Sequence, residues 1–277
     1  MSYSGYKGLQ VTTTGGVATV TIENRPINLL DEALFSELEA FAHEVELDSD
    51  IRVVVFKSAD PDFFIAHFDL RELIGIPPSI RSESLPPGLA RMELFRRLPQ
   101  LTIAQLEGRA RGAGAEFAAA LDLRFAASGK AVLAQFEPKL GLIPGGGGSQ
   151  YLTELVGRAR ALELILSGQD VDADLAERYG WVNRAVPAES IDTFVQEFAT
   201  RVAAYPGSAL RAAKRAVNAV GEIPRYQSLI ESWDLATAQL SSDTAKKRMD
   251  VYLNRGGQTR SVALNLDPLL DGPVSRA

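Results

Sequence analysis

The chain has 277 residues, 46% apolar and 23% charged, which is enough for one large domain with a real core or for a core plus a helical appendage. Lys and Arg number 29 against 35 Asp and Glu, a formal charge of -6, which argues against a general nucleic-acid binder although a local basic patch can still grip a phosphorylated ligand. With no cysteine and only His43 and His67 as histidines, disulfides, thiol nucleophiles and Cys-ligated zinc are excluded, and no metal site is expected.

The N-terminus, MSYSGYKGLQ, has no basic segment followed by an apolar run, and no long uncharged apolar stretch occurs. The reading is a cytoplasmic protein with no membrane span. In chain order, Gly8 to Glu23 alternates and breaks at Gly15-Gly16, which predicts two strands and a tight turn. Asp31 is placed to cap a helix whose apolar face is Leu34, Leu38, Phe41 and Val45. Val53 to Phe56 is a buried strand by its β-branched run. Ser58–Phe64 reads as a loop and Asp69–Ile74 as a short helix. Pro77–Gly88 has the composition of a mobile loop.

A helix then ends near Arg97, and Leu101–Leu106 is a strand. The Gly/Ala segment Gly108–Gly114 leads into an Ala-rich helix. Arg124–Ala127 and Val132–Gln135 are short strands. The glycine run Gly145–Gly148 precedes a helix that Ser149 caps. From Ala159 helical patterns dominate, broken by a strand at Val182–Val186. Pro187 suits the start of a helix over Ala188–Ala203. Further helices cover Ser208–Ala219, Tyr226–Leu240 and Thr244–Asn254. This divides the chain into a mixed α/β core, residues 1–190, and a helical region, 191–277.

Three segments can carry chemistry. Phe64–Arg71 joins a strand to a helix, where free backbone N–H groups can face developing negative charge; it also reads as a plain connection capped by Asp69. Gly108–Phe117 lets another group approach the backbone closely, or simply packs a helix tightly. It imitates a dinucleotide fingerprint but has Phe117 where the third glycine belongs. Gln135–Ser149 contains no GK[ST] and is no Walker A loop. Glu137 there sits among Leu133, Phe136 and Leu140, company that raises a carboxyl pKa and suits a proton donor. The alternative is an exposed strand-end glutamate, and Pro138 disfavours helix at that point. His43 reads as a surface or core-edge residue. The Lys246-Lys247-Arg248 run is a solvated helix face or a contact for a ligand phosphate.

Taken together, these segments resemble the enoyl-CoA hydratase/isomerase (crotonase) superfamily over almost the whole chain. Asn24-Arg25-Pro26 with Asn28-Leu29-Leu30 resembles the family's N-R-P…N-A-L loop. Phe64–Leu73 resembles F-x-A-G-x-D-L-x-x-L. Gly112–Phe117 followed by Leu121–Ala127 resembles G-G-G-x-E-L…C-D-I-R-I-A. Glu137 with Leu140–Gly145 resembles P-E-x-x-L-G-x-I-P-G. Ser167-Gly168, Ala173, Ala176, Gly180–Asn183 and Val186-Pro187 resemble the segment that follows.

The resemblance implies an α/β fold, a spiral of ββα units followed by a C-terminal helical trimerisation region. It implies an acyl-CoA thioester substrate, no separate cofactor, and a homotrimer or dimer of trimers. By position the N–H groups of Phe68 and Ala113 would hold a thioester enolate, each such donor contributing about 3 kcal/mol to the transition state. Glu116 and Glu137 match the two glutamates of the hydratases, which implies addition of water to a 2-enoyl-CoA. Arg25, Ala66, Phe68, Asp69, Leu70, Arg71 and Ala113 match substrate-binding positions. Other expectations on the same fold are an isomerase, a hydrolase or a low-activity acyl-CoA binding protein. The chain departs from the pattern at His67, where the family has Gly, and at Ala113, where a positive φ would cost about 1 kcal/mol. Phe136, Pro138 and Lys139 also differ, and Lys139 is placed to alter the Glu137 pKa.

Overall fold

The computed structural model describes residues 3–77, 83–218 and 222–264. Strands β1 (Leu9–Thr14) and β2 (Val17–Ile22) form the expected antiparallel hairpin. Helix α1 (Glu32–Glu46) starts where the Asp31 carboxylate accepts the Leu34 N–H, and it buries Leu34, Leu38, Phe41 and Val45. His43 lies exposed in its last turn.

There follow β3 (Val53–Ser58), β4 (Phe63–Ile65), α2 (Leu70–Ile74), α3 (Pro87–Arg97), β5 (Leu101–Leu106), β6 (Arg109–Arg111), α4 (Ala113–Ala120), β7 (Leu123–Ser128) and β8 (Val132–Ala134). After a single 3-10 turn at Glu137–Leu140 come α5 (Gly148–Val156), α6 (Arg158–Ser167), β9 (Val171–Asp172), α7 (Ala173–Tyr179) and β10 (Arg184–Pro187). The remaining elements are α8 (Ile191–Ala203), α9 (Gly207–Asn218), α10 (Glu222–Leu240), α11 (Asp243–Asn254) and α12 (Arg260–Leu264). The expected loop Pro77–Gly88 falls partly outside the described residues, and Pro87 opens α3. Ala219 and residues 265–277 of the expected helical region lie outside them as well.

The strands form a six-stranded sheet, β1-β2-β3-β5-β7-β10, and a four-stranded sheet, β4-β6-β8-β9. In the larger sheet every pair beyond the first hairpin is parallel. Alternation sorts its two faces. Val20, Val54, Phe56 and Ala104 enter the main core with α1, α3 and α4. Val17, Val53, Val55, Ile103 and Phe125 face α8 through Ile191, Val195, Ala199 and Ala203. This fold is α/β with largely parallel sheets. Among the described residues no helix is long and apolar enough to cross a membrane.

Several local expectations are corrected. Ser58–Phe64 and Gly108–Gly114 each contain a strand, β4 and β6, which pair in parallel with each other. Three-residue strands carry too little periodicity to separate from loops. Pro187 ends β10 instead of starting a helix, and α8 begins at Ile191, after Ser190. Gly147, with φ +100°, precedes α5, so Ser149 lies inside that helix and caps nothing. Glu137 opens the 3-10 turn despite Pro138, because the first positions of such a turn need no N–H donor.

Candidate active site

The four-stranded sheet brings the ends of β4, β6 and β8 together, and the chain leaves each of them toward one cavity of about 360 Å³. Phe68, Ala113, Glu116 and Glu137 all line it, so the structure assembles the four residues read from three separate segments.

Glu116 lies in the first turn of α4 and is 3% exposed. Its Oε1 accepts the N–H of Gly146 at 2.8 Å and that of Gly148 at 2.9 Å. This contact explains two of the glycines. An ideal Cβ on Gly146 would stand 2.4 Å from Glu116 Oε2, and one on Gly148 2.8 Å from Oε1. Burial pushes the Glu116 carboxyl up to about 7, and the two N–H donors pull the other way by favouring the anion.

Glu137 is held by the 3-10 turn at the cavity wall, which removes the exposed strand-end reading. Burial and the neighbouring Glu116 charge hold its carboxyl well above the ordinary range. The Gln135 amide, turned by its hydrogen bonds so that nitrogen faces Glu137, donates to both carboxyl oxygens at 3.1 Å. Lys139 does not set this pKa; its stem packs toward Gly168, whose ideal Cβ would lie 3.1 Å from Lys139 Cε. The two carboxyls thus lean toward different states. The two N–H donors favour the anion at Glu116, whereas burial and the Glu116 charge both favour the neutral form of Glu137.

The parallel bridge at Leu30 and Phe68 runs from Leu30 N–H to the His67 carbonyl at 2.9 Å and from Asp69 N–H to the Leu30 carbonyl at 3.1 Å. It passes over the Phe68 N–H. Ala113 is the first residue of α4, so its N–H has no partner within the helix. Among the described residues neither N–H meets a backbone acceptor. The positive φ that threatened Ala113 falls instead on Gly112, at +50°. There a side chain would also meet Glu137 Oε1 at 3.1 Å and Phe136 Cε1 at 3.1 Å. Ala113 is therefore an ordinary helical residue and carries no strain.

His67 fills the space beside this bridge. Its ring is 3% exposed and meets Phe136 and Tyr252 edge to face. Nδ1 lies 2.8 Å from the Phe68 carbonyl, which only accepts, so the proton sits on Nδ1. Burial lowers its pKa to about 4, so the imidazole is neutral at physiological pH. Together His67 and Leu30 fix both peptides that flank Phe68.

The other substrate-binding expectations are placed differently. Leu70 lines the cavity. Asp69 caps α2 through the Arg71 N–H at 2.8 Å and accepts from Gln258 at 3.1 Å. Arg71 donates to the Gln258 side-chain Oε1 at 3.0 Å. Arg25 is exposed and pairs with Glu23 at 3.0 Å. Ala66 is 2% exposed in a cluster with Ile27, Phe63 and Ala263, under α12. That helix is tied down by Arg111, which donates to the Ala263 carbonyl, and by Arg260, which pairs with Asp60 and Asp62. Arg25, Ala66, Asp69 and Arg71 do not line the cavity. In the basic run, Arg248 donates to the Lys139 carbonyl at 2.7 Å, and Lys246 and Lys247 are exposed.

The sequence did not expose Gln135, Gly146 and Gly148 as partners of the glutamates, nor α10 as a cavity wall. Trp233 and Leu240 of that helix face this cavity.

The enoyl-CoA hydratase/isomerase family profile matches residues 12–259. The chain belongs to that family, and its fold matches solved members. A Streptomyces avermitilis structure provisionally named an enoyl-CoA hydratase is 39% identical, with a TM-score of 0.87 over 96% of this chain and 98% of that one. An enoyl-CoA hydratase structure from Bacillus anthracis is 28% identical, with a TM-score of 0.71 over 90% of this chain and 97% of that one. A short-chain-enoyl-CoA hydratase of Clostridium acetobutylicum is 35% identical over 209 residues, 74% of this chain and 78% of the relative.

Proposed function

We propose that this chain is an enoyl-CoA hydratase that adds water across the double bond of a 2-enoyl-CoA. The observation that carries this is the pair of buried carboxyls, Glu116 and Glu137, which line one apolar cavity close enough for the Glu116 charge to raise the Glu137 pKa. Hydration needs one proton taken from water and one given to the α-carbon. In this reading the thioester oxygen accepts from the Phe68 and Ala113 N–H groups, which stabilise the enolate. The Glu116 carboxylate takes a proton as the water oxygen bonds to the β-carbon. The neutral Glu137 delivers its proton to the α-carbon. Transfer of the proton from Glu116 to Glu137 restores the starting state. No cofactor beyond the coenzyme A of the substrate takes part.

Product analysis by mass spectrometry tests the reaction. Hydration yields a gain of one water. An unchanged mass with a shifted double bond makes the chain an isomerase, free CoA makes it a hydrolase, and binding without turnover makes it an acyl-CoA binding protein. Calorimetry should give micromolar affinity for acyl-CoA; no heat and no competition at millimolar ligand would sink the thioester reading altogether.

The pH dependence has a defined sign. The base acts when ionised, so kcat/KM should rise as pH rises through about 7, where Glu116 loses its proton. The acid acts when protonated, so the rate should fall at higher pH as Glu137 ionises. Both limbs belong to the pair as a unit. Glu116→Gln should remove the rising limb and Glu137→Gln the falling one; a flat wild-type profile contradicts the assignment.

The proposed assembly is a homotrimer or a dimer of trimers. Support comes from the family and from large apolar side chains left in solvent, Leu166 at 70% and Val217 at 72% exposure. Light scattering at micromolar concentration should give the mass of three or six chains, and a single-chain mass refutes it.

A further inference from the structure

Near the two glutamates the cavity has a second wall made by the chain's own C-terminal region. An ideal Cβ on Gly145 would lie 2.8 Å from Ala236 Cβ, so α10 rests against the loop whose next residue, Gly146, holds Glu116. An ideal Cβ on Gly88 would lie 3.9 Å from the Trp233 ring, which brings the start of α3 against the same helix. Phe35, Met92, Leu142, Trp233, Ala236 and Leu240 line this part of the cavity.

The polar side chains nearby are already engaged. Arg91 donates to Glu32 at 2.8 and 2.6 Å and to Glu39 at 2.8 Å. The Thr237 hydroxyl bonds the carbonyls of Trp233 at 3.1 Å and Asp234 at 3.2 Å. A carboxylate or hydroxyl brought here would lose its water and bond Arg91 only in competition with Glu32 and Glu39, whereas methylenes would lose nothing. The size is informative too. A dry cavity of about 150 Å³ holds benzene, so 360 Å³ has room for a thioester carbonyl and a chain of about eight carbons.

Resting on the thioester reading given above, we propose that the acyl group selected here is a straight, unfunctionalised hydrocarbon of medium length, about six to ten carbons. Crotonyl-sized groups would leave the α10 wall empty, and acyl groups ending in a carboxylate would be rejected. This separates the chain from the relative named for short-chain substrates.

The test is a length series read in two ways. Calorimetry with acetyl-, butyryl-, hexanoyl-, octanoyl- and decanoyl-CoA measures binding alone. The matching 2-enoyl-CoA thioesters measure kcat/KM. Burial of each added methylene should raise affinity about fourfold until the cavity is filled. An eight-carbon acyl-CoA ending in a carboxylate should bind at least about tenfold more weakly than octanoyl-CoA. Ala236→Phe puts a ring into this space and should cut the octanoyl-to-butyryl affinity ratio about tenfold or more.

The chain has two tryptophans, and Trp181 is wholly buried in the core, so a tryptophan emission change with octanoyl-CoA that acetyl-CoA does not produce reports Trp233. That signal keeps the test decisive if the Ala236 variant does not fold. Affinity that is flat or falls with chain length, equal binding of the carboxylated analogue, or an unchanged ratio in the variant overturns the proposal. Affinity that rises with length while no thioester is hydrated overturns the hydratase reading and leaves this one standing.

Discussion

Glu116→Gln and Glu137→Gln should each lower hydration of a 2-enoyl-CoA by about 10²–10⁴-fold, the usual contribution of one general acid or base. Glutamine keeps the volume of each side chain and removes its proton exchange. Acyl-CoA affinity should stay within a few-fold of wild type, because neither substitution alters the apolar wall. The loss should appear in kcat, with KM little moved. The two variants should differ in a second respect. Glu116 accepts two backbone N–H groups, at Gly146 and Gly148. A glutamine can turn its oxygen to them, but without charge the bonds weaken. Glu137 instead receives the Gln135 amide at both oxygens, and a glutamine oxygen still accepts one of those two bonds. The double variant should fall well short of the product of the single losses, since both groups serve one addition of water. Wild-type hydration by Glu137→Gln would remove the proton-delivery role even with the fold intact.

Long amphipathic elements were legible in the sequence because their period repeats. α1 follows from Leu34, Leu38, Phe41 and Val45 and from the Asp31 cap, and β3 and β5 follow from their apolar runs. Of the small sheet, β8 was legible but β4 and β6 were not. β4 and β6 have three residues each, and what makes them strands is their parallel pairing with partners far along the chain. Both glutamates were visible through motif order, but their environments were not. Nothing in the local sequence says that Gly146 and Gly148 lie against Glu116, a contact made across 30 and 32 residues. The concern over Ala113 came from treating the glycines of that motif as equivalent. The structure gives each its own reason: Gly112 takes the positive φ, Gly114 meets another strand, and between them Ala113 needs nothing special. His67 looked disruptive in place of glycine. It is accommodated because its ring turns away from water among Phe136 and Tyr252 and its Nδ1–H binds the Phe68 carbonyl.

Gly114→Ala should be among the most destabilising single substitutions, and it should disable the site by the same displacement. Gly114 is the second residue of α4, with ordinary helical backbone, so in isolation alanine would favour the helix there. Space decides otherwise. An ideal Cβ would stand 2.1 Å from the Ile65 carbonyl oxygen and 2.9 Å from its carbon. That carbonyl belongs to the end of β4 and cannot swing aside like a side chain, so α4 and β4 must separate. The expected loss is about 3 kcal/mol or more, the upper end for an overpacked core site. Gly129→Ala provides the contrast. Its φ is +76° but nothing lies within 4 Å of an added Cβ, so only backbone strain of about 1–2 kcal/mol applies. Denaturant unfolding at matched protein concentration should rank the two in that order. The segment after β4 carries Phe68 and the start of α4 carries Ala113, so any folded Gly114→Ala protein holds those two N–H groups too far apart for one thioester oxygen. Its acyl-CoA turnover should fall about tenfold or more through lost enolate stabilisation, since one such donor is worth that much. Equal stability of the two variants would mean that α4 and β4 tolerate separation, and the close approach at Gly114 would then have no part in holding the site.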